Sequence, residues 1–284
     1  MKTIAFIQAR MGSKRLPGKV LAPLAGRPVL LRVVDRVRAA DSVDAAVVLT
    51  STDPRDEAVA RLCAGSGVPF VRGSEEDVLD RYAQAAVTFG PELVVRVTAD
   101  CPLIDPAVID DLVALFARRP GLAYASVATG AIGPEHGYLR YPDGLDVEAL
   151  AANVLAIAAA QAREPFEREH VTPYVRRHPE LFSAAVLEAD HDVGEERWTL
   201  DYPADLALLG AVYERLEGSS PEPFGYREVL ALLEREPHLR ELNRRHRVKH
   251  ADPPGGPGNG RAVADRHRGP PARPDRASRP ASDA

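Results

Sequence analysis

The chain has 284 residues, enough to bury one large core, and its hydrophobic fraction of 45% and charged fraction of 27% are typical of a soluble globular protein. Its net charge of -5 at pH 7 and isoelectric point near 5.9 argue against nucleic-acid binding through bulk electrostatics, so we expect no nucleic-acid partner. Any site for a negatively charged ligand must therefore be local.

The first predicted elements are a buried strand over residues 3–7 and a helix over residues 28–37, with a basic loop between them. A polyphosphate requires fixed positive charge, close backbone approach and hydrogen-bond donors, although an ordinary solvated turn uses the same residue types. The loop, residues 8–19, supplies all three through Arg10, Gly12, Ser13, Lys14, Arg15, Gly18 and Lys19.

Two common nucleotide-binding motifs do not fit this loop. A P-loop has the spacing G-x-x-x-x-G-K-[ST], whereas here five residues separate Gly12 from Gly18 and Val20 follows Lys19. No G-x-G-x-x-G motif follows the first strand, which disfavours a dinucleotide-binding fold.

Strands and helices alternate over the next hundred residues. Predicted strands cover residues 45–50, 69–71, 93–97 and 122–126, and predicted helices cover residues 57–63, 77–89 and 107–118, the last capped by Asp105. This alternation predicts an α/β fold with a mostly parallel sheet flanked by helices. Such sheets bind ligands beyond the carboxyl ends of their strands, where the basic loop and Asp100 both fall.

The second half of the chain is less regular. Residues 130–144 are rich in Gly, Pro and Tyr and show no clear helix, and an alanine-rich helix is expected after Glu148. A charged helix is expected from residue 164, strands over 182–187 and 198–200, helices from 201 and 226, and a short basic helix ending near residue 247. We assign residues 1–248 to one folded domain with an insertion around 130–190. Residues 249–284 are expected to form a disordered tail, because their Pro, Gly and Arg content offers almost no apolar surface to bury.

The two cysteines, Cys63 and Cys101, are too few for a disulfide framework or a zinc site. No apolar run approaches the roughly eighteen residues of a membrane span, and the first residues lack the apolar region of a signal peptide. We therefore expect a cytoplasmic protein without a membrane partner.

Asp100 and Asp201 each follow a predicted strand, and a proline follows each of them closely. Two carboxylates that converge on one point can hold magnesium against a nucleoside triphosphate, since Mg²⁺ usually binds one or two carboxylates plus phosphate oxygens. The alternative for each is an aspartate that caps a helix or stabilises a turn.

Six motifs occur in the order in which they are found in a known family. They are residues 7–19 (IQARMGSKRLPGK), 76–82 (EDVLDRY), 98–105 (TADCPLID), 141–146 (YPDGLD), 167–173 (EREHVTP) and 199–205 (TLDYPAD). The set resembles the bacterial sugar cytidylyltransferases, which include the 3-deoxy-manno-octulosonate and acylneuraminate enzymes, and is most similar to the branch called spore coat polysaccharide biosynthesis protein F. The resemblance spans residues 3 to about 245.

This resemblance implies a nucleotide-diphospho-sugar transferase fold of the GT-A, Rossmann-like type. It also implies an enzyme that uses Mg²⁺ and transfers a cytidylyl group from CTP to a small acidic sugar for polysaccharide or glycoconjugate biosynthesis, with release of pyrophosphate. By the same analogy Arg15 and Lys19 hold the β- and γ-phosphates, Asp100 is the principal metal ligand and Asp201 the second. Lys14 stands where the family commonly has threonine.

The resemblance also assigns the nucleotide-binding residues. The segment beside the nucleotide comprises Gln8, Ala9, Arg10, Gly12 and Ser13, and the base pocket comprises Ser51, Thr52, Arg72 and Gly73.

The acceptor pocket is harder to define from the sequence. A polyhydroxylated acid requires hydrogen-bond acceptors for its hydroxyls and a cation for its carboxylate, and we expect the insertion to provide them. The candidates are Arg140, Asp143, Asp146, Glu148, Glu169 and His170, although a surface ion-pair network would use the same residues. Transfer of another nucleotide to a sugar phosphate, a non-catalytic nucleotide-binding protein of this fold, and assembly into a homodimer all stay open.

Overall fold

A computed structural model describes residues 1–129, 137–218 and 223–246 in full, and residues 265–268 as backbone. Within these ranges the main sheet has eight strands in the order β10-β9-β7-β8-β6-β1-β4-β5, and β2 and β3 form a separate small hairpin. The strands are β1 (Thr3–Gln8), β2 (Pro23–Leu24), β3 (Arg27–Pro28), β4 (Ala45–Ser51), β5 (Phe70–Gly73), β6 (Leu93–Thr98), β7 (Tyr124–Val127), β8 (Val147–Ala151), β9 (Ala184–Glu188) and β10 (Asp265–Arg268).

The main sheet is mostly parallel, as predicted. Strand β8 runs antiparallel to both of its neighbours, β6 and β7, whereas every other described pair of neighbours is parallel. The carboxyl ends of β1, β4, β5 and β6 therefore lie side by side along one edge, which we call the carboxyl edge.

Helices cover both faces of the sheet. Residues of α1, α4, α8 and α9 pack into one apolar core, and residues of α3, α5 and α7 pack into a second core on the other face. The helices are α1 (Val29–Arg38), α2 (Glu57–Gly65), α3 (Val78–Phe89), α4 (Pro106–Arg118), α5 (Ala152–Gln161), α6 (Pro165–His170), α7 (Pro173–Arg177), α8 (Pro203–Leu216) and α9 (Tyr226–Arg235). The result is the three-layer arrangement expected of an α/β fold.

The predicted cap of α4 is confirmed, because the Asp105 side chain accepts a hydrogen bond from the backbone N–H of Ala107. Two other predictions are wrong. Residues 198–200 do not form a strand: they are held by the hydrogen bonds from Trp198 N to Asp143 O and from Leu200 N to Asp100 O. The alanine-rich stretch after Glu148 begins as strand β8, because it completes the sheet between β6 and β7, and helix α5 starts only at Ala152.

The chain end also departs from prediction. In place of a basic α-helix, the structure has 3₁₀ turns over Pro237–Leu242 and Arg244–His246. Strand β10 pairs with β9 inside the stretch predicted as a disordered tail, and the rest of residues 249–284 lies outside the described ranges. Among the described helices, none has the length and apolar character needed to cross a membrane.

Candidate active site

The carboxyl edge gathers the segments that the sequence assigns to nucleotide binding. Ala9 N donates to Leu49 O on β4, and Gly18, at a φ of 73°, turns the basic loop into a 3₁₀ turn over Lys19–Leu21. Such a positive φ suits glycine because it has no Cβ. The Ser13 hydroxyl accepts a hydrogen bond from Leu16 N at 3.3 Å, so it stabilises the loop itself.

Asp56, which the sequence analysis did not identify, joins this loop to the end of β4. Its carboxylate accepts hydrogen bonds from Met11 N at 2.7 Å and from the Ser51 hydroxyl at 2.5 Å. One buried carboxylate therefore fixes the loop after β1 relative to the first residue of the predicted base pocket.

The remaining base-pocket candidates lie at the ends of β4 and β5. Thr52 N donates to Gly73 O at 2.8 Å, and Arg72 Nε donates to Ser51 O at 2.9 Å. A Cβ on Gly73 would lie 3.0 Å from Cγ of the buried Arg81, so the close packing there favours glycine. All four predicted residues are thus brought together.

Lys19 occupies the centre of the site. Its ammonium group donates hydrogen bonds to Asp100 Oδ2 at 2.7 Å, to Asp201 Oδ1 at 3.0 Å and to the carbonyl of Leu200 at 2.8 Å. Burial lowers the pKa of Lys19, but the two carboxylates raise it more, so the pKa lies above its ordinary value and the ammonium stays charged. Two aspartates about a hundred residues apart in sequence therefore converge on one cation.

The two aspartates differ in their surroundings. Asp201 contacts three cations, with Arg15 at 2.7 Å and Arg197 at 2.8 Å in addition to Lys19. Burial raises the pKa of Asp201, but Lys19 and the arginines lower it further, which leaves the pKa below its ordinary value. Asp100 is more open, with a side chain 27% exposed and its second oxygen held by the Thr98 hydroxyl at 2.6 Å.

Arg197 is a second residue that the sequence analysis missed. Its buried guanidinium binds Asp143 at 3.0 Å, Asp201 at 2.8 Å and Asp205 at 3.5 Å. Asp205 also accepts hydrogen bonds from the backbone N–H groups at the start of α8. The available sequence signal was the position of Arg197, four residues before Asp201. Through Arg197 the acceptor candidate Asp143 is linked to the metal candidate Asp201.

Glu148, another acceptor candidate, lies at the start of β8, beside the carboxyl end of β6, in a buried polar cluster. Its carboxylate accepts hydrogen bonds from Arg96, from the Tyr124 hydroxyl at 2.5 Å and from the Thr172 hydroxyl at 2.9 Å. Burial raises the pKa of Glu148, but Arg96 and the hydroxyls lower it more, so the carboxylate is ionised. Gln8 Oε1 accepts from Arg96 Nη2 at 3.4 Å, which places this nucleotide candidate beside the cluster.

Comparison with known proteins identifies the family. The family model described as cytidylyltransferase matches residues 4–208. The chain belongs to the cytidylyltransferase family.

Individual relatives agree with this assignment. The spore coat polysaccharide biosynthesis protein SpsF of Bacillus subtilis is 35% identical over 246 residues, 84% of this chain and 96% of the relative. A 3-deoxy-manno-octulosonate cytidylyltransferase of Geobacter sulfurreducens is 38% identical over 122 residues, 43% of this chain and 48% of the relative. The solved structure of a cytidylyltransferase from Leptospira borgpetersenii matches with a TM-score of 0.76 at 30% identity, covering 84% of this chain and 96% of that chain. The protein is thus a nucleotidyltransferase enzyme with the predicted fold.

Arg10 joins two sets of candidates in this cytidylyltransferase. Its guanidinium, at the nucleotide side, lies 3.7 Å from the Glu169 carboxylate at the acceptor side. The neighbouring His170 packs against Phe166, with ring centroids 4.4 Å apart and the ring planes tilted by 49°. Burial, reinforced by Arg96 and Arg10, lowers the pKa of His170 despite the opposing charge of Glu169, so the imidazole is neutral at pH 7.

The other acceptor candidates of the cytidylyltransferase are engaged within the protein. Asp146 accepts hydrogen bonds from the Thr129 hydroxyl at 2.6 Å and from Gly144 N at 2.9 Å. Arg140 binds Asp192 through two hydrogen bonds of 2.9 Å each, and its part in acceptor binding stays a prediction. Gly12, one of the nucleotide candidates, lies against the loop that follows β5. A Cβ added to Gly12 would be 3.5 Å from the Glu75 carboxylate.

Proposed function

We propose that this enzyme transfers the cytidylyl group of CTP to a hydroxyl of a small acidic sugar, forming a CMP-sugar and releasing pyrophosphate. The observation that carries the proposal is the shared position of Lys19 between Asp100 and Asp201, with Arg15 beside them. Two relatives support the substrate class: one is named for octulosonate, an acidic sugar, and the other for a coat polysaccharide. Such a product would serve polysaccharide or glycoconjugate biosynthesis.

In this reaction the sugar hydroxyl attacks the α-phosphorus in line and pyrophosphate leaves. Arg15 and Lys19 neutralise the negative charge that builds on the β- and γ-phosphates, so the protein contributes mainly positioning and electrostatic stabilisation. The Lys19 ammonium is already charged, and its two carboxylates hold it beside the proposed metal ligands before the triphosphate binds.

The oxygen donors of Asp100 and Asp201 fit magnesium. Both carboxylates lie within 3.0 Å of one ammonium, close enough to share a cation, and carboxylates with phosphate oxygens are the usual ligands of Mg²⁺. Among the described residues no group of three or more His, Cys, Asp or Glu could hold a metal, so the triphosphate itself would complete the coordination. When bound, Mg²⁺ would supply Lewis-acid stabilisation of the phosphate charge.

We further propose that Glu169, His170 and the cluster around Glu148 bind the acceptor, because they lie next to the nucleotide candidates Arg10 and Gln8. The two cysteines are free and buried, which suits the reducing cytoplasm as the site of the reaction.

The direct test is pyrophosphate release from CTP and Mg²⁺ with a panel of acidic sugars, with the other three triphosphates run in parallel. Asp100→Asn should lower the rate by about 10²–10³-fold, because the carboxylate that would hold Mg²⁺ against the phosphates is removed. The matched control is Asp80→Asn on α3, where the carboxylate bonds Gln84 and lies outside the site, and it should keep the wild-type rate.

Activity with a different triphosphate would contradict the cytidylyl assignment. Equal rates for wild type and Asp100→Asn would contradict the proposed role of Asp100 as a metal ligand. Absence of turnover with all four triphosphates, together with absence of Mg²⁺-dependent nucleotide binding, would favour a non-catalytic protein of the same fold.

A further inference from the structure

The 3₁₀ turn at Arg244–His246 reaches back to the candidate active site. The His246 imidazole stacks on the Tyr202 ring, with centroids 3.8 Å apart and an angle of 6° between the planes. The guanidinium carbon of Arg15 lies over the same tyrosine ring, 5.2 Å from its centroid. The Tyr202 ring therefore lies between His246 and Arg15, the arginine predicted to bind phosphate.

Asn243 anchors this turn. Its buried amide donates hydrogen bonds to the carbonyl of Arg197 at 2.9 Å and to Asp205 Oδ1 at 3.0 Å. Arg240, in the preceding turn, binds Glu196 at 2.7 Å. Residues 240–246 are thus attached to residues 196–205, the segment that contains Asp201 and its partners Arg197 and Asp205.

Arg15 needs such support because it is far more exposed than Lys19 and Arg197, the other two cations that contact Asp201. Its side chain is 54% exposed, compared with 10% for Lys19 and 9% for Arg197. An exposed arginine samples many rotamers, and a ring against its guanidinium restricts them before a ligand binds. A restricted arginine loses less entropy when it engages phosphate oxygens.

We propose that His246 is a positioning residue: its ring holds Tyr202, and Tyr202 in turn holds Arg15 in position for the β- and γ-phosphates of the bound triphosphate. The inference rests on the proposed function for the role of Arg15. It adds to that function a support supplied by the end of the folded domain, more than forty residues after Tyr202 in the sequence.

The test is calorimetric binding of inorganic tripolyphosphate to the full chain, which requires neither the nucleoside nor an acceptor. His246→Ala should raise the dissociation constant about 3–10-fold, which is the range expected for one aromatic contact. His246→Phe keeps a ring on Tyr202 and should stay within about twofold of wild type. Thermal unfolding of each variant shows that it is folded.

The same substitution in an Arg15→Ala background separates positioning from general destabilisation. If His246 acts through Arg15, His246→Ala should cause no further loss in that background, because the group it positions is gone. Equal losses in both backgrounds, wild-type affinity of His246→Ala, or absence of tripolyphosphate binding by the wild-type chain would each overturn the inference. Pyrophosphate release is measured separately, so failure of the cytidylyl reaction is recognised independently.

Discussion

At the scale of single residues, Lys19 balances the charge of both aspartates in the site. Lys19→Met should lower kcat/KM for the triphosphate by about 10²–10³-fold, since a fixed charge next to the phosphates is lost. The free energy of unfolding should be affected much less than the rate. Asp201 keeps its ion pairs with Arg15 and Arg197, and Asp100 is partly exposed to water. Steady-state pyrophosphate release and thermal unfolding measure the two effects.

The control is Lys14→Met in the same loop, where the exposed side chain should matter little to the rate. Similar losses in the two variants would mean that the loop acts through its total charge and that the position of Lys19 is unimportant.

Glu148 gives a prediction for pH dependence. Because the folded state lowers the pKa of Glu148 below its ordinary value of 4.5, the ionised carboxylate stabilises the fold above that pH. This contribution is lost as the pH falls through the folded pKa. Glu148→Gln should therefore cost about 3 kcal/mol near pH 7, where it leaves the Arg96 guanidinium without a carboxylate partner, and the difference from wild type should shrink below pH 4.5.

Denaturant unfolding at several pH values measures this difference, and Glu214→Gln on α8 serves as an exposed control. A gap between wild type and Glu148→Gln that stays constant, or widens in acid, would contradict the assigned ionisation.

Sequence reasoning found the acids of the site and missed much of their support. The convergence of Asp100 and Asp201 is a prediction from their positions, each after a predicted strand and shortly before a proline, and both carboxylates do contact Lys19. Arg197 and Asp56 were missed, because a buried ion pair depends on which loops face each other. That pairing is set by tertiary packing and leaves no periodic pattern in the sequence.

At the scale of elements, Gly144 fixes how the loop before β8 crosses residues 198–199. It has a φ of 109°, and a Cβ there would lie 2.6 Å from Thr199 N and from the carbonyl carbon of Trp198. Gly144→Ala must displace backbone that leads directly to Asp201. We expect a loss of stability greater than about 1 kcal/mol and a lower rate of pyrophosphate release.

Gly210→Ala is the matched control. Gly210 lies inside α8 with no atom within 4 Å of a Cβ position, so alanine should stabilise the protein by about 0.5–1 kcal/mol. Chemical denaturation of both variants gives the comparison, and a stable, fully active Gly144→Ala protein would show that the crossing can relax.

The alternation of strands and helices up to residue 127 was predictable because the central parallel strands β1 and β4 are largely apolar runs. Strand β8 was not, since its sequence VEALA has the residues of a helix and only the gap between β6 and β7 makes it a strand. Residues 198–200 gave the opposite error. They are buried and include the apolar Trp198 and Leu200, but the backbone N–H groups of these two residues bond to loop carbonyls and not to a neighbouring strand.

At the scale of the whole molecule, the domain boundary near residue 248 is open to test. A chain that ends at residue 248 should keep its rate of pyrophosphate release and unfold within a few degrees of the full chain, because it loses only the four-residue edge strand from the described structure. A chain that ends at residue 242 also loses Asn243 and His246, and should be both less stable and less active. Equal stability and equal rates for the two truncated chains would place the domain boundary at or before residue 242.

The reversed direction of β8 has a consequence for how acceptor choice could diversify. Because β8 runs against its neighbours, its first residue lies opposite the end of β6, and the segment that precedes it arrives at the same rim as the loops that follow the parallel strands. The nucleotide candidate Gln8 on β1 and the proposed acceptor residue Glu148 on β8 therefore come from separate parts of the chain and meet at this rim. Grafting residues 147–172, which carry Glu148, Glu169 and His170, from a relative with a different substrate should change acceptor preference and leave the nucleotide unchanged, which makes this segment the natural unit for engineering new sugar products.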